Sequence, residues 1–156
     1  MSGDLEMARD VMRDRNLAFV VVRRQEILAQ SASPGIRDLL QVTDQLGPKL
    51  AGAALADKVV GKAVAMIAWH VGIREIYAGL ISELARNELQ RAGIPYEYER
   101  SIPMILNRDG TDMCPLEKTV HGLAAPELAV AALRRRFSGE SGAVRQHSDQ
   151  IRVRSS

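Results

Sequence analysis

The strongest constraint on the fold is an alternation of strand and helix patterns along the first two thirds of the chain. Leu17–Val22 is an uninterrupted apolar run rich in Val, which is typical of a strand buried on both faces. A polar turn follows, and Ile27–Ala32 returns as its partner in a predicted hairpin. Helix patterns then separate three further strand patterns. This alternation predicts an α/β fold, in which helices cover both faces of a sheet.

Local start and stop signals bound the other elements. Asp4 can cap a first helix over residues 4–15. Gly47-Pro48 ends the helix that Ser33-Pro34-Gly35 begins. The remaining predicted helices are Val59–Val71, Glu83–Arg91, a short helix at Cys114 and Pro126–Phe137; the remaining predicted strands are Leu50–Leu55, Glu75–Ser82 and Tyr96–Arg100, the last near a sheet edge.

Charge divides the chain into a folded part and a tail. From Arg134 onward six Arg face Glu140 and Asp149, a net of +4, whereas the first 133 residues carry fifteen basic and seventeen acidic side chains, a net of −2. We therefore predict a single domain over residues 1–137 and a disordered basic tail over residues 138–156. The folded part is not a basic nucleic-acid platform, and weak nucleic-acid contact is expected only from the tail.

The single cysteine and the apolar pattern bear on the compartment. One Cys excludes an intrachain disulfide, and no signal-peptide pattern opens the sequence, so we expect a cytoplasmic location. The most apolar stretch, Ala53–Ile73, is interrupted by charged residues, so no membrane span or membrane partner is predicted. We also expect a homo-oligomer.

Polar residues after one predicted strand form the first candidate site. Asp57 and Lys58 stand where this strand is expected to turn into a helix, and Lys62 follows one turn after Lys58. Backbone N–H groups and the helix dipole favour anions at such a junction, so both lysines would bind a phosphate or carboxylate. An exposed helix face capped by Asp57 explains the same residues equally well. Ser82 holds the corresponding place after the next strand, where a simple N-cap is the competing interpretation.

The second candidate site is a polar turn centred on Gly110. Its mixed charges and hydrogen-bonding groups are typical of a ligand-binding loop. The candidate ligand-binding residues of this turn are Asn107, Arg108, Asp109 and Thr111.

Cys114 directly follows this turn and precedes Pro115. Proline is common at the first position of a helix, so Cys114 is predicted at a helix N-terminus. There the helix dipole would favour the thiolate form of the cysteine. Cys114 is thus a candidate nucleophile, with Asp57 and Lys58 as the other candidate catalytic residues. Glu117 and Lys118 lie on the same helical turn and are further candidate ligand-binding residues. The alternatives are an inert buried cysteine and a capping role for Glu117.

Metal and cofactor motifs are missing from the sequence. It contains no His-x-Glu, Cys-x-x-Cys or His-Glu-x-x-His, and neither a P-loop nor a G-x-G-x-x-G. We therefore predict no metal and no cofactor.

Two segments carry a resemblance to a known family. They are ADKVVGKA over residues 56–63 and NRDGTDMCPLEK over residues 107–118. Both look like the signature stretches of a small bacterial domain-of-unknown-function family whose fold is similar to that of the cytidine deaminases. The match covers residues 16–124, and the order of elements agrees throughout. Where relatives carry Gly at 112, this chain has Asp112, which would alter the turn without removing the motif.

The resemblance implies a three-layer α/β/α sandwich with a mixed central sheet. In active deaminases of that fold, His-x-Glu or Cys-x-Glu opens one helix and Pro-Cys-x-x-Cys the next, and together they hold a catalytic zinc. Here the first position carries Asp57-Lys58 and the second Ile81-Ser82-Glu83. The resemblance therefore implies that the chain lacks zinc and is not a zinc-dependent deaminase.

Three functions stay open at this point. The first is binding of a nucleotide-like or other anionic small molecule, with the anion on Lys58 and Lys62. In this function, Asp57, Asn107 and Asp109 would hydrogen-bond to hydroxyl or amino groups of the ligand. The second is a Cys114-dependent transferase or sulfur-relay enzyme, and the third is a non-catalytic regulatory or partner-binding module. A shared site requires that the two motif segments meet in space, and we predict that they do because polar strand-to-helix turns gather at one end of a sheet.

Overall fold

The computed structural model describes residues 1–138 and the backbone of residues 151–153. In chain order the elements are α1 (Gly3–Asp14), β1 (Phe19–Arg23), β2 (Glu26–Ser31), α2 (Arg37–Leu46), β3 (Ala54–Val60), α3 (Lys62–Val71), β4 (Glu75–Ser82), α4 (Glu83–Ala92), β5 (Tyr96–Ile102), α5 (Pro115–Val120), α6 (Pro126–Ser138) and β6 (Ile151–Val153).

The strands form one mixed sheet in the order β5-β4-β3-β1-β2-β6. β3, β4 and β5 are parallel, and they are joined by α3 and α4 as crossover helices. β1 is antiparallel to both β3 and β2, which confirms the predicted hairpin. β5 lies at the edge of the sheet, also as predicted.

Helices pack on both faces of this sheet, but unequally. Residues 19–22 of β1 are all nearly inaccessible to solvent, because both faces of the strand are covered. α1 covers one face, where Leu5, Ala8 and Met12 pack on small and branched residues of the central strands. The other five helices share one larger core on the opposite face. The predicted three-layer α/β/α sandwich with a mixed sheet is confirmed.

The structure corrects the junction around Asp57. The sequence pattern places a strand over residues 50–55 and a helix from Val59, whereas β3 runs as far as Val60 and α3 begins at Lys62. β3 is paired on both sides, with β1 as far as Asp57 and with β4 as far as Val60, so its backbone stays extended past the expected turn. Asp57 and Lys58 are therefore strand residues, not residues of a helix N-terminus.

The first helix is also capped differently from the prediction. Ser2, not Asp4, is the N-cap, because the Ser2 side chain accepts a hydrogen bond from the Leu5 N–H at 3.2 Å. Asp4 accepts instead from the N–H groups of Arg24 and Gln25, at 2.9 and 2.8 Å. Both turn residues have positive φ, 53° and 64°, so Asp4 stabilises the tight hairpin turn and fixes α1 to it.

The tail prediction lies almost wholly outside the described residues. Within it, Ile151–Val153 form β6, which pairs antiparallel with β2, contrary to the disorder expected there. Across the described residues, no helix has the length and apolar character that crossing a bilayer requires.

Candidate functional site

An apolar cavity of about 300 Å³ opens beside β3, between that strand and the N-terminal ends of α2, α3 and α5. We call it the inner cavity. Most of its wall is apolar or glycine, including Ile36, Val64 and Leu116. Among the described residues, its polar lining consists of Asp57, Lys58, Cys114 and Glu117. The two motif segments therefore meet in space, as predicted.

Asp57 is half-buried on the wall of the inner cavity. Burial raises the pKa of this carboxyl from 3.8 to about 7, against the opposing effect of its hydrogen bond from the Val59 N–H. That bond, at 3.1 Å, is the one Asp57 makes within the described residues. Asp57 therefore offers both protonation states near neutral pH, and unused hydrogen-bonding capacity in an apolar cavity.

Glu117 closes the inner cavity at the start of α3. This side chain is only 4 % exposed, and its two oxygens accept from the N–H groups of Lys62 and Ala63 at 2.7 and 2.9 Å. A carboxylate at this place satisfies unpaired N–H groups and compensates the helix dipole. The capping interpretation of Glu117 thus holds, but the capped helix is α3 and not its own.

Gly61 makes room for that carboxylate. A Cβ atom at position 61 would lie 2.6 Å from Cδ of Glu117, closer than a side chain can come without a shift. Gly61 itself has no side chain to cap α3. Gly61 and Glu117 thus cap the start of α3 together, although they are 56 positions apart in the sequence.

The polar turn is held by its own hydrogen bonds. Asn107 Oδ1 accepts from the Thr111 N–H at 3.0 Å, and Asn107 Nδ2 donates to Thr111 Oγ1 at 3.2 Å. Backbone bonds from Asn107 to Asp112 and from Gly110 to Asn107 complete it. Lys118 forms an ion pair with Asp112, which lowers the pKa of that carboxyl. These contacts give Asn107, Thr111 and Lys118 a role in shaping the turn.

A second cavity, the outer cavity, has a volume of about 500 Å³ and lies on the other side of Cys114. It is lined by Asn107, Arg108 and Asp109 of the turn, by Arg37 of α2, and by Arg136 and Phe137 of α6. Cys114 and Leu116 line both cavities, so the two adjoin there. Sequence reasoning missed Arg37 and Arg136. Nothing in their local pattern marks them, because only the fold brings α2 and α6 to the turn.

Cys114 is half-buried at the junction of the two cavities. It immediately precedes α5, and its N–H donates to Ile105 O at 2.9 Å. The predicted position before Pro115 is therefore found, with a helix of only six residues behind it.

The side chains of three predicted site residues make their polar contacts away from the inner cavity. Nζ of Lys58 lies 2.7 Å from Oδ1 of Asn16, next to the C-terminal end of α1. Lys62 is 6 % exposed, and its Nζ lies 3.9 Å from Glu88 Oε1 of α4. Ser82 is fully buried and caps α4, accepting from the Ala85 N–H at 3.1 Å. The two ammonium groups therefore contact separate partners, the anion site on both lysines stays a prediction, and for Ser82 the capping interpretation describes the contacts.

The described residues show no cluster of three or more His, Cys, Asp or Glu side chains arranged to hold a metal. Asp57, Cys114 and Glu117 share the inner cavity, but both oxygens of Glu117 are already bonded to α3. The absence of zinc stays a prediction.

Comparison with known families gives one match, over residues 7–137, to a family described as "Domain of unknown function (DUF1893)". The chain belongs to this family. No curated protein is similar enough to count as a match.

Three solved structures are similar to this chain to different degrees. The DUF1893 family protein TM1506 of Thermotoga maritima is 24 % identical and aligns with a TM-score of 0.79, over 88 % of this chain and 92 % of its own. A dCMP deaminase from the cyanophage S-TIM5 is 13 % identical over 64 % of this chain and all of its own, with a TM-score of 0.49. A diaminohydroxyphosphoribosylaminopyrimidine deaminase/5-amino-6-(5-phosphoribosylamino)uracil reductase of T. maritima is 16 % identical over 75 % of this chain and 40 % of its own, with a TM-score of 0.44. The similarity to TM1506 shows the fold and carries no activity with it.

Proposed function

We propose that the protein binds a small molecule whose heteroaromatic ring, of the nucleobase type, occupies the inner cavity and hydrogen-bonds to Asp57. The observation that carries the proposal is a carboxyl group with spare hydrogen-bonding capacity on the wall of an otherwise apolar cavity. Ligand sites typically combine an apolar lining with a few convergent polar groups. The inner cavity has this composition.

The size of the inner cavity restricts what it can hold. About 300 Å³ is at the lower end of the volumes of ligand pockets. A single or fused ring fits such a volume, whereas a peptide or an oligonucleotide does not. The apolar side chains of Ile36, Val64 and Leu116 can pack against the faces of a ring, and the polar edge of the ring is left for Asp57.

The chemistry of Asp57 specifies that edge. A protonated carboxyl presents one donor and one acceptor side by side. An amino group next to a ring nitrogen, as in adenine and cytosine, presents the complementary pair. Because the pKa of Asp57 is raised to about 7, a large share of the protein carries the protonated form at neutral pH, and affinity should fall as the pH rises above 7.

The test is a titration of the purified protein with adenosine and cytidine by isothermal calorimetry at pH 6 and pH 8. In Asp57→Asn the side-chain amide still presents a donor and an acceptor, but it does not titrate. The pH dependence of binding should therefore disappear. Asp57→Ala should weaken binding about 10- to 100-fold, the equivalent of one or two hydrogen bonds to a polar ligand. The exposed Asp14→Ala is the matched control and should bind as the parent does.

A matched ligand sharpens the result. N6,N6-dimethyladenosine keeps the ring of adenosine but has no amino hydrogen to donate. Equal affinity for adenosine and its dimethyl analogue would contradict hydrogen bonding to Asp57. Absence of binding for both nucleosides at millimolar concentration would overturn the proposal.

The two other functions that the sequence leaves open separate in the same preparation. A Cys114-dependent enzyme requires that Cys114→Ser abolish turnover or sulfur transfer, whereas ligand binding through Asp57 should survive this replacement. A partner-binding module predicts neither nucleoside binding nor thiol chemistry. Cys114 borders the cavity in which the ligand would lie, so protection of its thiol from iodoacetamide by adenosine gives an independent readout of occupancy.

A further inference from the structure

The outer cavity carries guanidinium groups that the inner one lacks. Among the described residues, its lining includes Arg37, Arg108 and Arg136 together with the carboxylate of Asp109. Arginine stays protonated at all physiological pH values. Arg108 and Arg136 thus bring positive charge to the described lining, and the outer cavity meets the inner cavity at Cys114.

The arginines come from three separate elements that the fold holds in place. The guanidinium of Arg37 on α2 lies 5.1 Å from the ring centre of Phe137 on α6, a cation–π contact that restrains it. Arg108 belongs to the turn that Asn107 and Thr111 fix by hydrogen bonds. Planar guanidinium groups converging from several directions match the oxygens of a phosphate, which they bind in bidentate fashion.

We propose that the outer cavity binds the phosphate group of the ligand whose ring occupies the inner cavity. This inference rests on the proposed function and deepens it, since it names the ligand class as a nucleoside monophosphate or a closely related phosphorylated heteroaromatic compound. Cys114 and Leu116 line both cavities, so the ring and the phosphate of one molecule would lie on either side of these two residues. The arginines of the outer cavity thus take the anion-binding role that the sequence assigned to Lys58 and Lys62.

Inorganic phosphate provides a test that does not depend on the ring. Titration of the full chain with phosphate, at constant ionic strength set by chloride, should shift backbone amide NMR signals of residues 106–116 and of the end of α6. The double variant Arg108→Ala/Arg136→Ala should lose these shifts. Arg135→Ala removes one positive charge from the same helix outside the outer cavity and should keep them. Absence of localised shifts, or equal loss in Arg135→Ala, would overturn the phosphate subsite.

A comparison of adenosine with AMP tests the link between the cavities. AMP should bind at least about tenfold more tightly than adenosine, a difference of roughly 1.4 kcal/mol, and the double variant should reduce this ratio to near one. Equal affinities would overturn the phosphate inference and leave ring binding in place. Phosphate shifts without any nucleoside binding would overturn the inner-cavity function and leave the subsite. Inorganic phosphate that binds as tightly as AMP would show an independent anion site and contradict one spanning ligand.

Discussion

Replacing Asp57 by Asn should stabilise the protein at neutral and higher pH and lose this advantage in acid. The folded state raises the pKa of Asp57 to about 7 from 3.8, so it holds the proton more tightly than the unfolded state does. Between these two values unfolding releases a proton, and raising the pH therefore favours unfolding. The contribution of Asp57 to stability is most favourable below pH 4 and is progressively lost as the pH rises to 7.

The magnitude follows from the size of the shift. Each pKa unit corresponds to about 1.4 kcal/mol of difference between the two protonation states. A rise from 3.8 to about 7 sets an upper limit on the order of 4 kcal/mol above pH 7. The inner cavity is open to solvent on one side, which reduces the cost, so we expect between ~1 and ~4 kcal/mol. Asn keeps an acceptor oxygen for the Val59 N–H, so the substitution removes the charge and little else.

Urea unfolding at pH 4, 5, 6, 7 and 8 measures the effect. The free energy of unfolding of Asp57→Asn minus that of the parent should grow steadily from pH 4 to pH 7 and then level off. Asp14→Asn, on the exposed face of α1, is the control for losing one carboxylate and should change stability by no more than about 0.5 kcal/mol. A difference that is flat between pH 4 and pH 8, or that shrinks as the pH rises, would refute the assignment of a desolvated carboxyl at this place.

Three further predictions concern the cap of α3, formed by Glu117 next to Gly61, and the cap of α4. Glu117→Ala leaves two N–H groups without their charged acceptor and should cost roughly 3–6 kcal/mol in urea unfolding, whereas the exposed Glu127→Ala should cost less than about 1 kcal/mol; similar losses would contradict the capping role. Gly61→Ala should cost about 1–3 kcal/mol through overpacking and much less in a Glu117→Ala background, so additive costs in a double-mutant cycle would exclude their contact. Ser82→Ala should cost about 0.5–2 kcal/mol as a lost N-cap and leave adenosine affinity unchanged, and a selective loss of affinity would return Ser82 to the ligand site.

The fold could be predicted from the sequence wherever a pattern is local. The strand over Glu75–Ser82 and its following helix are signalled by apolar spacing, a serine N-cap and a C-terminal glycine within one segment. The start of α3 is not signalled this way, since its cap is Glu117 on another helix. Val59 and Val60 also fit a strand as well as a helix, and pairing with β4 decides in favour of the strand. Local rules thus fail where the stabilising partner is distant in sequence.

The same distinction explains why the candidate site was predicted only in part. Asp57 and Cys114 could be found because polar residues in an apolar segment, and a cysteine before proline, are visible in the sequence itself. The direction of a side chain is not visible in the sequence. Lys58 follows Asp57 on a strand, and because side chains alternate between the two faces, its ammonium group reaches Asn16 on the opposite face.

Lys62 shows what this means for experiments on the site. At 6 % exposed, with its ammonium group 3.9 Å from Glu88, it belongs to the packing of α3 against α4. Glu88 also forms an ion pair with Arg91, so Lys62→Ala removes one of its two cationic partners together with the buried stem of the lysine. A loss of ligand affinity in Lys62→Ala would therefore not by itself show that Lys62 touches a ligand. A double variant in which apolar residues replace both Lys62 and Glu88 separates packing from ligand contact. If this variant keeps both its stability and its affinity for the ligand, Lys62 acts in packing alone. That outcome would exclude Lys62 as the source of charge for anion binding and leave the arginines of the outer cavity to be tested by Arg108→Ala/Arg136→Ala.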